Sequence, residues 1–430
     1  MKAIILAAGK GERMNSSLPK PLHKLFGLSL IERVIIPLIK AGIKELIVVL
    51  GYKGEKIEKY LRKKFRNIKI QFVYNKEYYR GNGVSFLYGA GLLKEKEKFL
   101  LLMADHIYSP EIIERVLKEE KPLMVVHNNF NLINNLEKET KVKIDNGYVS
   151  DIGRDLKDFD GIDCGIFLLE KNGFSLPKEL FSGEIELSYL IKEYVKREKL
   201  KAFFIKKNEY VFNVNDQETK EWVSNYLLNN SGKKEDGIIS KIINRKISRL
   251  LTKILCNYSV QPLVLTIVNF LLTIVASLAF FFSNQLGGLL VQSVSIFDGV
   301  DGEIARIKLA TTKFGAYLDS VFDRYSDTII ISAIAFTHYL KTNQIWIFLF
   351  AFLAIIGSNM SMILKDKERL LFSQNIYHPL IPLSRDLRLF LIFLFSLFNQ
   401  PFLAIIILAF LTNLSILLRI LLIKRIAKED

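Results

Sequence analysis

The distribution of hydrophobic residues divides this 430-residue chain into two unlike halves. As far as about residue 235, short apolar runs alternate with amphipathic stretches, and charged residues occur throughout. The apolar runs are KAIILA (2–7), KELIVVLGY (44–52), KIQFVYN (69–75) and KFLLLMADH (98–106). Runs of this length predict buried strands, and the amphipathic stretches between them predict helices. The alternation predicts an α/β domain with a mostly parallel, Rossmann-like sheet, in which ligands bind beyond the carboxyl ends of the strands.

The second half, from about residue 262, is dominated by Leu, Ile, Phe and Val. A helix that spans a bilayer needs roughly 20 mainly apolar residues. The candidate spans are 262–282, 286–306, 314–338, 344–364, 380–399 and 401–423. The second, third and fifth contain charged residues, so we expect them to fail a strict hydropathy criterion. The pattern predicts an all-α membrane domain of six transmembrane helices, with both ends on the same side of the membrane.

Two short segments join the halves. Residues 229–237 (NNSGKKEDG) are polar and contain glycine, which predicts a linker. In residues 238–255, Ile and Leu recur at helical spacing, and Lys or Arg occupies the other face. This pattern favours a basic amphipathic helix in the membrane interface over an ordinary surface helix, because apolar spans follow directly. The predicted domains are therefore a cytosolic domain at 1–228 and a membrane domain at 256–430, joined by these two segments.

The formal net charge of +16 restricts the choice of partners. A basic chain suits nucleic acid, an anionic membrane surface or phosphorylated substrates. Nucleic acid is the weaker interpretation, because no nucleic-acid-binding motif is recognisable in the sequence. Basic residues cluster at 233–253 and in the tail KRIAKED, which predicts a multi-pass cell-membrane protein whose N-terminal domain and C-terminal tail are cytoplasmic. Abundant Lys, Ile and Glu hint at a thermophile, although an AT-rich genome produces the same bias.

A glycine-rich loop follows the first predicted strand. It reads LAAGKGERM (6–14), and LPKPLHKLFG (18–27) comes shortly after it. Glycines let backbone N–H groups approach phosphates closely, and Arg13 and Lys20 add positive charge. Together with LLMADH, this constellation resembles the sugar-phosphate nucleotidyltransferases, whose pattern is a Leu-x-Ala-Gly-x-Gly-x-Arg loop followed by Pro-Lys-Pro. The resemblance covers roughly residues 1–227.

This resemblance implies a role for each matching position. The implied phosphate-binding residues are Gly9, Lys10, Gly11 and Arg13, the base-reading residues are Gly81, Asn82 and Ser85, and the sugar-side residue is Asp163 in DGIDCGIFLLE. Lys20 would stabilise the charge of the departing pyrophosphate, and Asp105 would bind a metal ion, Mg²⁺ or Mn²⁺. The second metal ligand is implied in VFNVNDQET (211–219), where several relatives carry Asp. We favour Asn215 for this position, with Asn213 as the alternative.

The stretch DGVDGEIARIKLATTKFGAYLDSVFDR (298–324) places four aspartates among apolar segments. Asp298 and Asp301 are three residues apart. Asp319 and Asp323 are four residues apart, so on helices each pair would share one face. Carboxylates in an apolar setting are costly unless they are paired or bind a cation. Two facing helices would therefore gather four carboxylates, an arrangement that suits divalent cations and phosphoryl transfer.

The spacing D-x2-D-G-x2-A-R-x8-G-x3-D-x3-D across this stretch resembles the signature of the CDP-alcohol phosphotransferases, over about 236–425. The implied ligands of two divalent metal ions are Asp298, Asp301, Asp319 and Asp323. The implied contacts to CDP are Gly302, Ala305 and Arg306. Asp323 would also be the general base for the acceptor hydroxyl, and the superfamily often forms homodimers through membrane helices. Relatives often carry Thr-Pro-Asn before the first span, whereas this chain has QPL (261–263), in which only Pro262 matches.

Two arginines lie within the fifth predicted span, in PLSRDLRLF (382–390). An arginine inside a membrane is a functional hypothesis by default. We predict that Arg385 and Arg388 bind the phosphate of a phosphorylated acceptor. The alternatives are snorkelling to the interface or pairing with Asp386. A cytoplasmic loop is the favoured interpretation for Lys365, Lys367 and Arg369, and help in holding this phosphate is the alternative.

One half of the chain would make an NDP-alcohol, and the other would consume a CDP-alcohol. This pairing, with DGVDGEIAR and KVKIDNGYVSDIGRDL (141–156), resembles the bifunctional inositol-1-phosphate cytidylyltransferase and di-myo-inositol-phosphate-phosphate synthase family. The resemblance implies CTP and inositol 1-phosphate as substrates, CDP-inositol as the intermediate and the precursor of a compatible solute as the product. Two alternatives stay open: an enzyme that makes a phospholipid from a membrane-lipid acceptor, and a transporter with a nucleotide-binding head.

Overall fold

The chain divides into two compact units, Met1–Tyr226 and Leu227–Asp430. The first, called the head below, is α/β, and the second, called the helical unit, is all α. The computed structural model describes residues 1–14, 16–130, 136–174, 183–233, 236–372 and 383–426.

The head contains thirteen strands and six helices in its described residues. The strands are β1 (Lys2–Ala7), β2 (Lys24–Leu25), β3 (Leu28–Ser29), β4 (Glu45–Leu50), β5 (Lys69–Tyr74), β6 (Lys98–Met103), β7 (His106–Tyr108), β8 (Leu123–His127), β9 (Lys141–Asp145), β10 (Tyr148–Gly153), β11 (Gly161–Glu170), β12 (Lys201–Phe204) and β13 (Val211–Asn213). The helices are α1 (Leu30–Lys40), α2 (Gly54–Lys64), α3 (Asn82–Ala90), α4 (Pro110–Val116), α5 (Leu187–Val195) and α6 (Gln217–Asn229), the last of which continues past the unit boundary.

The main sheet has nine strands in the order β5-β4-β1-β6-β11-β8-β12-β10-β9. The first four strands pair in parallel, as the sequence predicted. Beyond them the sheet is mixed, and the prediction of a mostly parallel, Rossmann-like sheet is not confirmed: β11 runs antiparallel to both β6 and β8, whereas β12 pairs in parallel with β8. At the far edge, β9 and β10 are joined by Asn146 and Gly147, whose φ angles are 49° and 81°. A two-residue turn with positive φ at both positions makes a hairpin, which forces antiparallel pairing.

Strand β1 illustrates why the predicted strands contain runs of consecutive apolar residues. Its residues Ala3 and Ile5 belong to the hydrophobic core on one face of the sheet. Ile4 and Leu6 belong to the core on the opposite face. Successive side chains of a strand point to opposite faces, so a strand that is covered on both faces alternates between two cores. This arrangement holds the carboxyl end of β1, and the glycine loop that follows it, on a rigid base.

A second, two-stranded sheet brings a distant segment beside the end of β6. Strand β13 pairs antiparallel with β7, which sets Asn213 opposite His106. The backbone N–H of Val214 then donates to the carbonyl oxygen of Asp105 at 3.0 Å. As a result, the loop that carries Asn215 lies next to Asp105, although the two residues are far apart in the sequence.

The helical unit follows the predicted spans closely. Its helices are α7 (Arg245–Leu255), α8 (Pro262–Ala279), α9 (Asn284–Ile307), α10 (Lys313–Thr342), α11 (Trp346–Phe372), α12 (Arg385–Leu397) and α13 (Pro401–Ile426). Among the described residues, those long and apolar enough to cross a membrane are Pro262–Ala279, Trp346–Glu368 and Pro401–Lys424. The spans expected to fail this criterion correspond to α9, α10 and α12, and none of these three helices meets it in the described residues. The first three residues of the candidate span 380–399 lie outside the described residues.

Helix α7 has its apolar residues on the outside. Ile247, Leu250 and Ile254 are 43%, 65% and 58% exposed, whereas the polar residues Ser248 and Thr252 are buried. A surface helix of a soluble protein shows the opposite arrangement, with its apolar stripe facing the core. The exposed face therefore needs an apolar environment outside the protein.

Ion pairs and hydroxyl groups hold the buried face of α7 against α9. Arg245 Nη1 donates to Glu303 Oε1 at 2.7 Å, and both side chains are almost completely buried. Ser248 Oγ donates to the same oxygen at 2.8 Å, and Thr252 Oγ1 donates to Glu303 Oε2 at 2.6 Å. Asp236 accepts two further hydrogen bonds from the Arg245 guanidinium. A buried carboxylate with this many donors is fully satisfied, but each of its partners depends on it.

We expect Glu303→Ala to destabilise the helical unit by about 3–5 kcal/mol, because it leaves the Arg245 guanidinium buried beside one remaining carboxylate. The chain has two tryptophans, and Trp346 lies in the helical unit. Its fluorescence in a Trp222→Phe background would give the unfolding midpoint of this unit in detergent. Lys246→Ala, on the exposed side of α7, is the matched control. A midpoint for Glu303→Ala no lower than that of the control would contradict the structural role of this network.

Candidate active sites

The head gathers three polar side chains at the carboxyl ends of its strands. Lys20 Nζ donates to Asp105 Oδ2 at 2.6 Å and to Asn215 Oδ1 at 2.9 Å. His106 Nδ1 lies 2.8 Å from the other oxygen of Asp105. Burial alone would raise the pKa of Asp105, but the Lys20 ammonium and the hydrogen bond from His106 hold this pKa well below its usual range. Asp105 is therefore a carboxylate at neutral pH.

The glycine loop wraps around the stem of Lys20. Gly11 has a φ of 65°, and a Cβ at this position would lie 2.6 Å from Lys20 Cβ. Only glycine fits both this backbone conformation and this contact. Gly9 has open space where a Cβ would be, and Lys10 is exposed. The loop therefore fixes the lysine from one side while leaving its own backbone accessible to a ligand.

A cavity of about 170 Å³ opens beside this cluster. Its lining includes the charged or polar side chains of Arg13, Lys138, His106, Glu139 and Asp163, together with Trp222. Burial raises the pKa of Asp163 to about 6, although its Oδ1 accepts a hydrogen bond of 2.6 Å from the backbone N–H of Gly165. Burial also raises the pKa of Glu139. The cavity thus combines cationic groups with carboxyl groups that accept and donate hydrogen bonds, which suits a phosphorylated compound rich in hydroxyl groups.

The three residues predicted to read the base have structural partners within the head. A Cβ at Gly81 would lie 2.4 Å from the Ile185 carbonyl oxygen, and the φ of Gly81 is 98°. Asn82 Oδ1 accepts from the backbone N–H of Leu187 at 2.7 Å. Ser85 is buried and accepts from Asn75 Nδ2 at 3.0 Å. Each of these residues therefore shapes the start of α3, and their contact with a base stays a prediction.

Carboxylates from two helices meet in the helical unit. One oxygen from each of Asp298, Asp319 and Asp323 lies within 4.8 Å of the others. Asp298 comes from α9, and the other two come from α10. The i,i+4 spacing on α10 presents both of its carboxylates to α9, as the sequence predicted.

The fourth predicted ligand, Asp301, makes hydrogen bonds of its own. Its Oδ2 accepts from Thr266 Oγ1 at 2.5 Å, and its Oδ1 accepts from the backbone N–H of Gly302 at 2.5 Å. Among the described residues, the close cluster of carboxylate oxygens therefore consists of Asp298, Asp319 and Asp323, without Asp301. Thr266 lies one helical turn after Pro262 on α8, and the sequence analysis did not identify it.

Arg385 lies among the carboxylates of the cluster. Its Nη1 donates to Asp298 Oδ1 at 2.7 Å and makes an ion pair with Asp323 Oδ1 at 2.6 Å. Its Nε donates to Asp327 Oδ1 at 3.1 Å. Arg388 is buried behind it and donates from Nη2 to Asp327 Oδ2 at 2.7 Å. Both arginines therefore share Asp327, which lies one turn beyond Asp323 and continues the four-residue spacing of acids on α10.

The alternative partner considered for these arginines, Asp386, lies elsewhere in the network. Its Oδ2 accepts from the backbone N–H of Ser240 at 2.7 Å. Asp386 therefore ties α12 to the segment before α7. The sequence analysis did not assign a role to Asp327, although its spacing from Asp323 was a usable signal.

The guanidinium of Arg306 packs against Gly302. A Cβ at Gly302 would lie 3.2 Å from Arg306 Nη1. Arg306 Nε donates to the backbone carbonyl of Ser231, and its buried Nη2 has no hydrogen-bond partner within the described residues. Ala305 lies between them on α9 and is partly buried. A guanidinium with an unused donor next to a cluster of metal-binding groups is suited to a phosphate.

The donor sets of both sites fit divalent cations. In the helical unit, Asp298, Asp319 and Asp323 offer clustered carboxylate oxygens, the ligands that hard cations such as Mg²⁺ and Mn²⁺ prefer. In the head, Asp105 and Asn215 offer one carboxylate and one amide oxygen, and both oxygens already face the same cation, Lys20 Nζ. Mg²⁺ is commonly held by one or two carboxylates together with substrate phosphates.

Comparisons with known proteins match both units. Residues 3–134 match the MobA-like NTP transferase domain family, and residues 259–421 match the CDP-alcohol phosphatidyltransferase family. Among solved structures, the inositol-1-phosphate CTP transferase from T. maritima matches 51% of this chain and 90% of that chain, with 23% identity and a TM-score of 0.47.

Curated relatives align with nearly the whole chain. The "Bifunctional IPC transferase and DIPP synthase" of Aquifex aeolicus is 33% identical over 432 residues, which cover 98% of this chain and 97% of that protein. The protein of the same name from Archaeoglobus fulgidus is 36% identical over 409 residues, which cover 93% of this chain and 79% of that protein. Both units are thus matched together and in the same order. The chain belongs to the family of bifunctional IPC transferases and DIPP synthases.

Proposed function

We propose that this chain catalyses two consecutive transfers. In the first, CTP and inositol 1-phosphate give CDP-inositol and pyrophosphate. In the second, CDP-inositol and another inositol 1-phosphate give di-myo-inositol-phosphate-phosphate and CMP. The observation that carries the proposal is the presence, in one chain, of two separate clusters in which a cationic side chain lies against carboxylates: Lys20 with Asp105 in the head, and Arg385 with the carboxylate cluster in the helical unit.

In the first transfer, a phosphate oxygen of inositol 1-phosphate attacks the α-phosphorus of CTP. A new O–P bond forms, the bond to the β-phosphate breaks, and pyrophosphate leaves with the electron pair. Lys20 carries the positive charge closest to Asp105, so it would bind the departing phosphates as their charge grows. Gly9, Lys10, Gly11 and Arg13 would hold the triphosphate in line for this attack.

The cavity beside Asp105 would hold the inositol ring. Arg13 and Lys138 supply positive charge for its phosphate, while Asp163 and Glu139 face its hydroxyl groups. A carboxyl group whose pKa is near 6 exchanges readily between hydrogen-bond donor and acceptor, which suits several neighbouring hydroxyl groups. This assignment supports a polyol phosphate as the substrate.

In the second transfer, a hydroxyl oxygen of the acceptor attacks the phosphorus that carries inositol in CDP-inositol. The new O–P bond forms, the bond to the CMP oxygen breaks, and CMP leaves with the electron pair. Asp323 would take the hydroxyl proton. Arg385 would bind the phosphate of the acceptor, and Arg388 would hold Asp327 behind it, so that Arg385 keeps its orientation.

Divalent cations would supply charge neutralisation at both sites, held by Asp105 and Asn215 in the head and by Asp298, Asp319 and Asp323 in the helical unit, with Asp301 in support. The protein's own cations, Lys20 and Arg385, then need only to orient phosphates and receive the remaining charge.

The proposed location is the cell membrane, with six spanning helices. Helices α9 and α10 contain 24 and 30 residues, which at a rise of about 1.5 Å per residue is enough to cross the apolar core. The outward-facing Ile and Leu residues of α7 support its placement in the interface. The proposed boundaries remain 1–228 for the cytosolic domain, 229–237 for the joining segment, 238–255 for the interfacial helix and 256–430 for the membrane domain, with both ends of the chain cytoplasmic.

The two steps should separate in single variants of the full-length membrane protein. With Mg²⁺, CTP and inositol 1-phosphate, we expect Asp105→Asn to form no CDP-inositol. We expect Asp319→Asn to accumulate CDP-inositol and to lower the second transfer by about 100-fold or more, because each variant removes one charge-bearing oxygen from one site. ³¹P NMR distinguishes the intermediate from the phosphodiester product.

Two controls make this result decisive. Asp158→Asn, at an exposed position of the head, should support both steps at the rate of the unaltered protein. A mixture of the Asp105→Asn and Asp319→Asn proteins should restore the final product. Absence of CDP-inositol with the unaltered protein would overturn the substrate assignment, and a phospholipid product would overturn the soluble acceptor.

Burial of Asp163 lowers the stability of the head when this carboxyl group is ionised. Its folded-state pKa of about 6 lies above the usual value, so between about pH 4 and pH 6 the folded head keeps a proton that the unfolded chain has released. The stability of the head therefore falls as the pH rises through this window. We expect Asp163→Asn, which keeps the acceptor for Gly165, to stabilise the head by about 1–3 kcal/mol at pH 7.5 and to weaken this dependence, leaving the part that comes from the buried Glu139.

Trp222 fluorescence in a Trp346→Phe background would follow the unfolding of the head at pH 5 and pH 7.5. The same variant should raise the KM for inositol 1-phosphate in the first transfer. Asp158→Asn is again the control. If Asp163→Asn keeps the pH dependence of the unaltered head, burial of this carboxyl group is not its cause.

A further inference from the structure

The segment that joins the two units is bonded to the helices of the membrane site. On its N-terminal side, the backbone carbonyl of Ser231 accepts from Arg306 Nε. On its C-terminal side, Asp236 accepts from Arg245 Nε and Nη2 at 2.7 and 2.8 Å, with both side chains nearly buried. A Cβ at Gly237 would overlap Ser384 and Asp386. The described residues 231 and 236–237 of this segment therefore contact α9, α7 and the start of α12, whereas the polar sequence of the segment predicted only a linker.

Lys233 lies between these anchors and reaches the carboxylate cluster. Its Nζ is 3.5 Å from Asp319 Oδ2, and its side chain is 54% exposed. A contact of this length with a half-exposed ammonium contributes little to stability. The ammonium nevertheless lies at the edge of the site, beside one of the clustered carboxylates and half exposed.

Lys233 lies close enough to Arg306 for the two charges to interact. The two are linked through Ser231, which lies two residues before Lys233 and accepts from Arg306. Arg385, in contrast, approaches the cluster from α12 and contacts Asp298 and Asp323. If Arg306 contacts the nucleotide and Arg385 contacts the acceptor, as proposed above, Lys233 lies on the nucleotide side.

We propose that Lys233 is a catalytic residue of the second transfer, in which it binds the phosphate that leaves as CMP. When the bond between the transferred phosphorus and the CMP oxygen breaks, this phosphate gains negative charge. A lysine ammonium is a compact charge on a flexible stem and can follow a phosphate through such a change. The joining segment is then part of the phosphotransferase site. This inference rests on the proposed function, because it needs a CDP-alcohol as the donor.

The test uses the full-length protein with CDP-inositol, inositol 1-phosphate and Mg²⁺. We expect Lys233→Gln to lower kcat/KM for CDP-inositol by about 10- to 100-fold, the effect of losing one hydrogen bond to a charged group. The KM for inositol 1-phosphate should stay within twofold. Lys233→Arg should recover most of the activity, because it keeps the charge. Lys241→Gln, at an exposed position eight residues further on, should match the unaltered protein.

A binding measurement distinguishes contact with the phosphate from a structural role. CMP and cytidine are compared as inhibitors of the second transfer and as ligands in a thermal-shift titration with Mg²⁺. Lys233→Gln should weaken CMP by about 10-fold or more and leave cytidine unchanged. A loss of affinity for both compounds, or an unchanged affinity for CMP, would overturn the proposal.

The CMP titration needs no assumption about the alcohol. Failure of the unaltered protein to turn over CDP-inositol would therefore overturn the proposed substrate, whereas the CMP comparison decides the role of Lys233 by itself. The first transfer, measured with the same variants, reports whether the protein is folded and should not change, because Lys233 belongs to the helical unit.

Discussion

Negative charge gathered in a small space determines how both sites of this protein are built. In the helical unit, Asp298, Asp319 and Asp323 approach one another closely, and Asp327 adds a fourth carboxylate one turn further along α10. Such a group is stable next to apolar helices only when positive charge lies within it. Arg385 supplies that charge by contacting three carboxylates with one guanidinium. The planar fork of arginine, with five N–H donors, makes this possible where a lysine would reach fewer partners.

In the head, a single cationic side chain balances a single carboxylate. Lys20 places a single ammonium between Asp105 and Asn215, and the close contact of Gly11 keeps the lysine stem in position. Phosphates that enter this site meet the same ammonium that already neutralises Asp105. In both units, therefore, the side chains that balance the protein's own carboxylates are the ones to which the proposed function assigns the charge of a substrate.

The connection between α7 and α9 shows how the membrane environment reverses an ordinary packing rule. Arg245 and Glu303 are buried against each other, while the Ile and Leu residues of α7 face outward. In water this arrangement would be costly, but against lipid the apolar face is the one that needs no covering. Helix α9, which carries Asp298 and Asp301, is therefore held on one side by polar contacts with Arg245 of α7 and with Ser231 of the joining segment. Among the described residues near Lys233, Ser231 bonds to Arg306 of α9 and Asp236 bonds to Arg245 of α7.

The sequence by itself determined the elements and much of the chemistry. Continuous apolar runs identified the strands because most of them are covered on both faces, and the four-residue spacing of Asp319 and Asp323 placed these two carboxylates on one face of α10 because helical periodicity is a local property. The antiparallel pairings of β11 were missed because they join strands that are distant in the sequence, whereas the Asn146–Gly147 turn of the β9–β10 hairpin was visible in it. Only the tertiary structure decided that Asn215 lies beside Asp105, that Thr266 bonds to Asp301, and that Asp327 rather than Asp386 receives both arginines. These contacts join residues from separate elements, and no local pattern specifies which of several suitable partners the packing of the chain brings within hydrogen-bond distance.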